Sequence, residues 1–161
     1  MFISSNFERF ISKRPDGWAI IKGSIDHPNI EGNVRFFQSD YGTLVVTEVK
    51  GLPKGSSPCK SPIFAYHIHE KGNCQGNSDD PFAEVGVHYN PHGCPHPYHA
   101  GDMPPLLGAD GYAFSAFLTN RFTVKEIIGR AVIIHASPDD FTTQPSGNAG
   151  KKIACGKIME A

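Results

Sequence analysis

Seven of the eight histidines in this 161-residue chain fall into three groups: His67 and His69 flanking Ile68, then His88, His92, His96 and His99, then His135 alone. Neutral imidazole is the commonest side-chain ligand of transition metals. A fold that gathers these three groups builds a metal centre, and that requirement narrows the architectures open to the chain. It needs a rigid scaffold that holds distant segments at one point.

Successive side chains of a strand point to opposite faces, so a strand through His67-Ile68-His69 puts both imidazoles on one face, roughly 6 to 7 Å apart. Such a pair spans neighbouring corners of one metal. His88, within Val87-His88-Tyr89-Asn90-Pro91, offers a third donor, and His135, which ends the apolar run Ala131-Val132-Ile133-Ile134, offers a fourth. The segment His96-Pro97-Tyr98-His99-Ala100-Gly101-Asp102 adds two imidazoles and a carboxylate in a loop stiffened by Pro91, Pro95, Pro97 and Pro104. Those are three of the four donors that tetrahedral zinc takes, and His88 would complete the set through its second ring nitrogen. An imidazole shared by two metals has lost both ring protons, which two cations make favourable at neutral pH.

The rest of the chain points to β-structure. No helical period is sustained, and short runs rich in Val, Ile, Phe, Tyr and Thr alternate with turns drawn from 17 glycines and 13 prolines. Strands are expected at Trp18 to Gly23, Asn33 to Gln38, Thr43 to Val49, Phe64 to Glu70, Gly111 to Leu118 and Arg130 to His135. Lys71 to Leu107 and Ser137 to Gly150 read as long loops, and loops of that length are commonly functional. With no repeat or linker, residues 1–161 form one domain, 1–17 being an N-terminal extension. Fifteen basic and 16 acidic residues leave a net charge of -1, which argues for neither a nucleic-acid nor a membrane partner. The charged start carries no signal-length apolar run, so the cytoplasm is the default compartment; a chain stripped of its leader reads the same way. The four cysteines at 59, 74, 94 and 155 include no C-x-x-C pair.

From about Trp18 onward the chain resembles the copper/zinc superoxide dismutase family. The resemblance is carried by His67-Ile68-His69-Glu70-Lys71-Gly72, Gly86-Val87-His88-Tyr89-Asn90-Pro91, His99-Ala100-Gly101-Asp102, Gly129-Arg130-Ala131-Val132-Ile133-Ile134-His135, and Gly147-Asn148-Ala149-Gly150 followed by Ala154-Cys155-Gly156. It implies an all-β fold, a Greek-key sandwich or flattened barrel of immunoglobulin-like type, with long metal-binding and electrostatic loops. It implies copper on His67, His69, His88 and His135, zinc on His88, His96, His99 and Asp102, and Asp139 as the carboxylate linking a copper histidine to a zinc histidine. It also implies a Cys74 to Cys155 disulfide, superoxide as substrate, and catalytic roles for His88 and Lys152; a homodimer is compatible with it.

The chain departs from the family pattern in three places. His92 competes with His96 for the zinc position, although the interval from His88 favours His96. Cys59 and Cys94 match no family pair. Lys152, beside Lys151, stands where the family places a substrate-guiding arginine, and an ammonium lacks the planar fork of a guanidinium.

Overall fold

The computed structural model describes residues 12–60 and 62–161, so the first eleven residues of the expected extension lie outside it. Eight antiparallel strands make the framework: β1 (Gly17–Gly23), β2 (Glu31–Ser39), β3 (Gly42–Lys50), β4 (Ile63–His69), β5 (Asp102–Leu107), β6 (Tyr112–Thr119), β7 (Ala131–His135) and β8 (Lys152–Glu160). They run in the order β5-β4-β7-β8-β1-β2-β3-β6, and the end strands β5 and β6 approach each other, so the sheet curls into a nearly closed Greek-key barrel. Hairpins join β1 to β2 and β2 to β3, whereas the β3–β4 and β6–β7 connections cross the barrel.

Alternation along each strand decides what lies inside. Phe64, Tyr66 and Ile68 of β4 join Val132 and Ile134 of β7, Ile21 of β1, Phe36 of β2 and Val45 of β3 in the central core. The intervening residues of β4 and β7 therefore face outward, and for β7 these are Ala131, Ile133 and His135. They are not solvated. Ala131, Ile133 and Cys155 are covered by Phe82 and Val85 from the long β4–β5 connection. Burial on both faces explains why Ala131-Val132-Ile133-Ile134 reads as a continuous apolar run. Inside the barrel, the Tyr66 hydroxyl meets the Thr47 hydroxyl at 2.9 Å, which satisfies two buried polar groups at once.

All six expected strands form. Two further strands, β5 and β8, escaped the sequence pattern. Strand β5 contains Pro104 and Pro105, which cannot donate to a ladder; it is tolerated because β5 is the end strand beyond β4. In β8, Ala154-Cys155-Gly156 has little intrinsic strand preference, and the strand is held by pairing with β7 and β1 on its two sides. One short helix, α1 (Val124–Ile127), follows β6; the Thr123 side chain caps it and the Glu126 side chain answers in a capping box.

The loop over β7 and β8 is tied down covalently by the Cys74–Cys155 disulfide, with Cα atoms 5.8 Å apart and 81 residues between the partners. Cys59 and Cys94 are free. Closing a loop of that length restricts the unfolded chain by on the order of 4 kcal/mol. Replacing both partners by serine should therefore lower the urea midpoint of the metal-free protein and steepen its slope, because the released unfolded chain exposes more surface. An unchanged midpoint would mean that the bond contributes nothing.

Candidate metal centre

The backbone around Ile68 assembles the centre. Its N–H donates to the Gly101 carbonyl at 2.9 Å and its carbonyl accepts from the Tyr89 N–H at 2.8 Å, while Gly101 N–H reaches the Tyr89 carbonyl at 2.9 Å. Three segments are thus laced together at the residue between His67 and His69. A side chain at position 101 would place its Cβ 2.2 Å from the Ile68 carbonyl, so only glycine permits this approach. The lacing brings His88 against β4, with its ring centroid 4.0 Å from that of His67 and 5.0 Å from that of His69. His135, at the end of β7, completes the group from the same outer face, 5.0 Å from His67 between ring centroids.

Two sets of donors result, His67, His69, His88 and His135 on one side and His88, His96, His99 and Asp102 on the other. Within each set, ligand atoms lie within 4.8 Å of one another, and every residue is buried. The two sets share His88. His92 is exposed and belongs to neither, so the loop presents His96 inward, as the interval from His88 favoured.

Each ring is anchored through one nitrogen and presents the other. His67 Nε2 lies 2.7 Å from Asp139 Oδ2, and His96 Nε2 lies 2.8 Å from Asp139 Oδ1, so one carboxylate orients a ring in each set. His69 Nδ1 is held by the Gly86 carbonyl at 2.9 Å and His135 Nδ1 by the Gly150 carbonyl at 3.2 Å. His88 Nδ1 is held by Asp102 Oδ1 at 2.7 Å, with His99 Nδ1 3.4 Å away, and the free edges of the other pair converge, His69 Nε2 facing His135 Nε2 at 3.4 Å. His67 Nδ1, His88 Nε2 and His96 Nδ1 are buried without a hydrogen bond. For His96 this holds although Asp102 Oδ2 is 2.9 Å away, because the two are not aligned to bond. Unpaired buried nitrogens are unfavourable in a protein interior unless something else satisfies them. A cation held by each set would satisfy them.

Electrostatics keep the donors in their ligating forms. Burial pushes His135 down to about 3 and His69 well below its ordinary value, with neighbouring imidazoles adding to the effect. Burial also lowers His67 and His99, against the opposing pull of Asp139 and Asp102 respectively. For Asp139, burial alone would raise the carboxyl, but hydrogen bonds from His67, the Phe141 N–H and His96 outweigh it and bring it to about 2. Burial likewise works against Asp102, and His88, His96 and His99 together leave it below the ordinary carboxylate range.

Two supporting side chains had no signal in the sequence. Gln144 brackets His96, accepting from its N–H at 2.9 Å and donating to its carbonyl at 2.7 Å. Arg121 Nη1 donates to the carbonyls of Pro97 at 2.9 Å and Asp102 at 3.1 Å, clamping the loop from the β6 side. Both act through backbone groups brought near only by folding, so no local pattern announces them. Cys94 is bracketed by Asn90 rather than by a donor set. An open cleft of about 690 Å³ reaches His69, His88 and His135, with Asp80, Lys151 and Lys152 along its sides.

An antiparallel barrel bearing two buried donor sets that share one imidazole is the architecture of a dinuclear metalloprotein. The family model for copper/zinc superoxide dismutase (SODC) matches residues 30–158. The chain is 33% identical over 157 residues to "Superoxide dismutase [Cu-Zn] 2" of Aquifex aeolicus, covering 86% of each. It is 35% identical over 145 residues to the copper/zinc superoxide dismutase of Deinococcus radiodurans, covering 79% of this chain and 76% of the relative. Among solved structures, a double mutant of a SOD-like protein from Bacillus subtilis superposes with a TM-score of 0.71 at 29% identity, over 88% of this chain and 96% of that one. The chain belongs to the copper/zinc superoxide dismutase family, and copper and zinc are its metals.

Two outcomes test this geometry. At Gly147, with φ +68°, a Cβ would lie 2.0 Å from Asp139 Oδ1 and 2.7 Å from His96 Nε2. Gly147→Ala should therefore pull the shared carboxylate off His96 and weaken zinc binding by about ten- to a hundredfold in a chelator competition; equal affinity would exclude that role for Asp139. The second concerns acid. His135 near 3 and Asp139 near 2 both lie below their ordinary values of 6.5 and 3.8, so the unfolded chain binds protons first. Stability of the metal-free protein is then full above pH 6.5, declines toward pH 3 as unfolding charges His135, and declines further between 3.8 and 2 through Asp139. Its melting temperature should fall steadily from pH 7 to pH 4; a flat profile would contradict the burial of neutral imidazoles.

Proposed function

We propose that this chain, as a single domain, dismutes superoxide: two superoxide anions and two protons become one dioxygen and one hydrogen peroxide. The observation that carries this reading is the cleft, which leads solvent to His69, His88, His99 and His135 while His67, His96, Asp102 and Asp139 do not line it. We assign copper to His67, His69, His88 and His135, and zinc to His88, His96, His99 and Asp102. The chemistry supplied by the bound pair is reversible one-electron transfer at copper, with zinc redox-silent. The chain's own groups do the rest. Asp139 orients His67 and His96 together, so the two sets keep one spacing. His88 Nε2, buried and unpaired, is the atom that holds a proton between the two half-reactions and releases it to the forming peroxide. Lys152 borders the cleft, where its ammonium meets the anion at close range.

A non-catalytic metal-storage or delivery module is the rival reading. All four imidazoles of the copper set are present and converge, which favours the dismutase reading over a module that has lost part of the set. No helix among the described residues is long and apolar enough to cross a membrane. We propose no nucleic-acid or membrane partner, in line with the net charge of -1, and a homodimer that would use outward apolar side chains such as Phe114 and Leu118. The cytoplasmic location expected from the sequence stands as a proposal under one condition. In a reducing compartment the Cys74–Cys155 bond persists through the burial of Cys155, which is 2% exposed.

Reconstituted protein should hold one copper and one zinc per chain. His135→Ala should lose copper and dismutase activity while keeping most zinc, read by elemental analysis and a superoxide assay on one sample. His96→Ala should lower zinc affinity far more than His92→Ala. Copper-dependent activity surviving in His135→Ala would overturn the assignment.

A further inference from the structure

Lys152 does not project freely into the cleft. Its Nζ is ion-paired with Asp80 Oδ2, and its side chain is only 15% exposed. Most surface ion pairs are mobile and weak, but this carboxylate is fixed on its own side. Asp80 Oδ1 accepts from the Phe82 N–H at 3.1 Å, and the Asp80 carbonyl accepts from Asn77 at 2.9 Å and Ala83 at 3.2 Å, closing a tight turn. That turn lies just beyond Cys74, and Lys152 lies just before Cys155, so the disulfide and the ion pair join the same two segments. Asp79 and Asp80 line the same cleft as Lys151 and Lys152. Two acids therefore stand against the two cations.

We propose that Asp80 is a positioning residue that holds Lys152 at the cleft wall and cancels its charge toward incoming anions, so that electrostatic steering of superoxide is restrained in this chain. The idea rests on the proposed dismutase activity. A paired ammonium presents a dipole to a distant anion instead of a unit charge, and a dipole's attraction decays faster with distance. Lys152 then acts at short range, where an anion beside it competes with Asp80, and the exposed Lys151 carries the longer-range attraction.

The test uses the full-length, copper- and zinc-reconstituted protein and its Asp80→Asn, Lys152→Ala and doubly substituted variants. Reaction with an N-hydroxysuccinimide acetate, read by peptide mass spectrometry, should label Lys152 several-fold more slowly than Lys151 in the parent and at a comparable rate in Asp80→Asn. The second-order rate with superoxide at low ionic strength should rise roughly threefold in Asp80→Asn, the size that one unit charge about 6 Å from an anion gives in water. Its decline with added salt should be steeper than the parent's, a change that loosened structure alone would not produce. The gain should vanish in the double variant. Unchanged Lys152 labelling in Asp80→Asn overturns the pairing. Freed labelling with an unchanged rate and salt slope overturns the restraint on steering. A parent that labels as expected yet does not dismute superoxide defeats the proposed activity and leaves the pairing established.

Discussion

Burying six histidines and two aspartates in one place is the constraint on which the rest of this structure depends. Unpaired polar groups are unfavourable in a protein interior, so each ring must find a partner for one nitrogen and a use for the other. The chain meets the first demand with its own groups: a carboxylate shared between His67 and His96, the carbonyl of Gly86 behind His69 and the carbonyl of Gly150 behind His135. It leaves the second unmet at His67 Nδ1, His88 Nε2 and His96 Nδ1, which is the arrangement a pair of cations completes.

That constraint reaches into the fold. Rings facing outward from a barrel would be solvated, so the outer face of β4, β7 and β8 is roofed by the β4–β5 connection, with Phe82 and Val85 as its apolar underside and the Cys74–Cys155 bond as its tie. The same roof carries Asp80 to the mouth of the cleft and His88 to its floor. Binding chemistry and approach path are consequently held by one loop. Strand alternation makes this possible: the residues of β4 and β7 that fill the barrel are the neighbours of those that face the roof.

Close backbone approach is the second device. Gly101 lets the metal loop hydrogen-bond to Ile68, and Gly147 lets another loop lie against Asp139 and His96. Gln144 and Arg121 then hold the loop by its backbone, so His96 and His99 keep their places without a regular element beneath them. A side chain anchored from behind needs little rearrangement when it takes up a ligand.

The histidines and Asp102 were legible as two donor sets because ligand types repeat at short spacing, and H-x-H on a strand has only one geometry. The six patterned strands were legible for the same local reason. Strands β5 and β8 were not, since Pro104 and Pro105 or Ala154-Cys155-Gly156 become strands only through their neighbours. The disulfide partners and the role of Asp139 came from family resemblance, not from residue spacing. What the amino-acid order determined by itself was therefore chemistry: which side chains can hold metal, and that an antiparallel β-framework presents them. The interval from His88 already favoured His96 over His92, but the clamps from Gln144 and Arg121 and the pairing of Lys152 with Asp80 belong to the tertiary structure alone. Each depends on contacts between segments far apart in the chain, and such distances are set when the barrel closes.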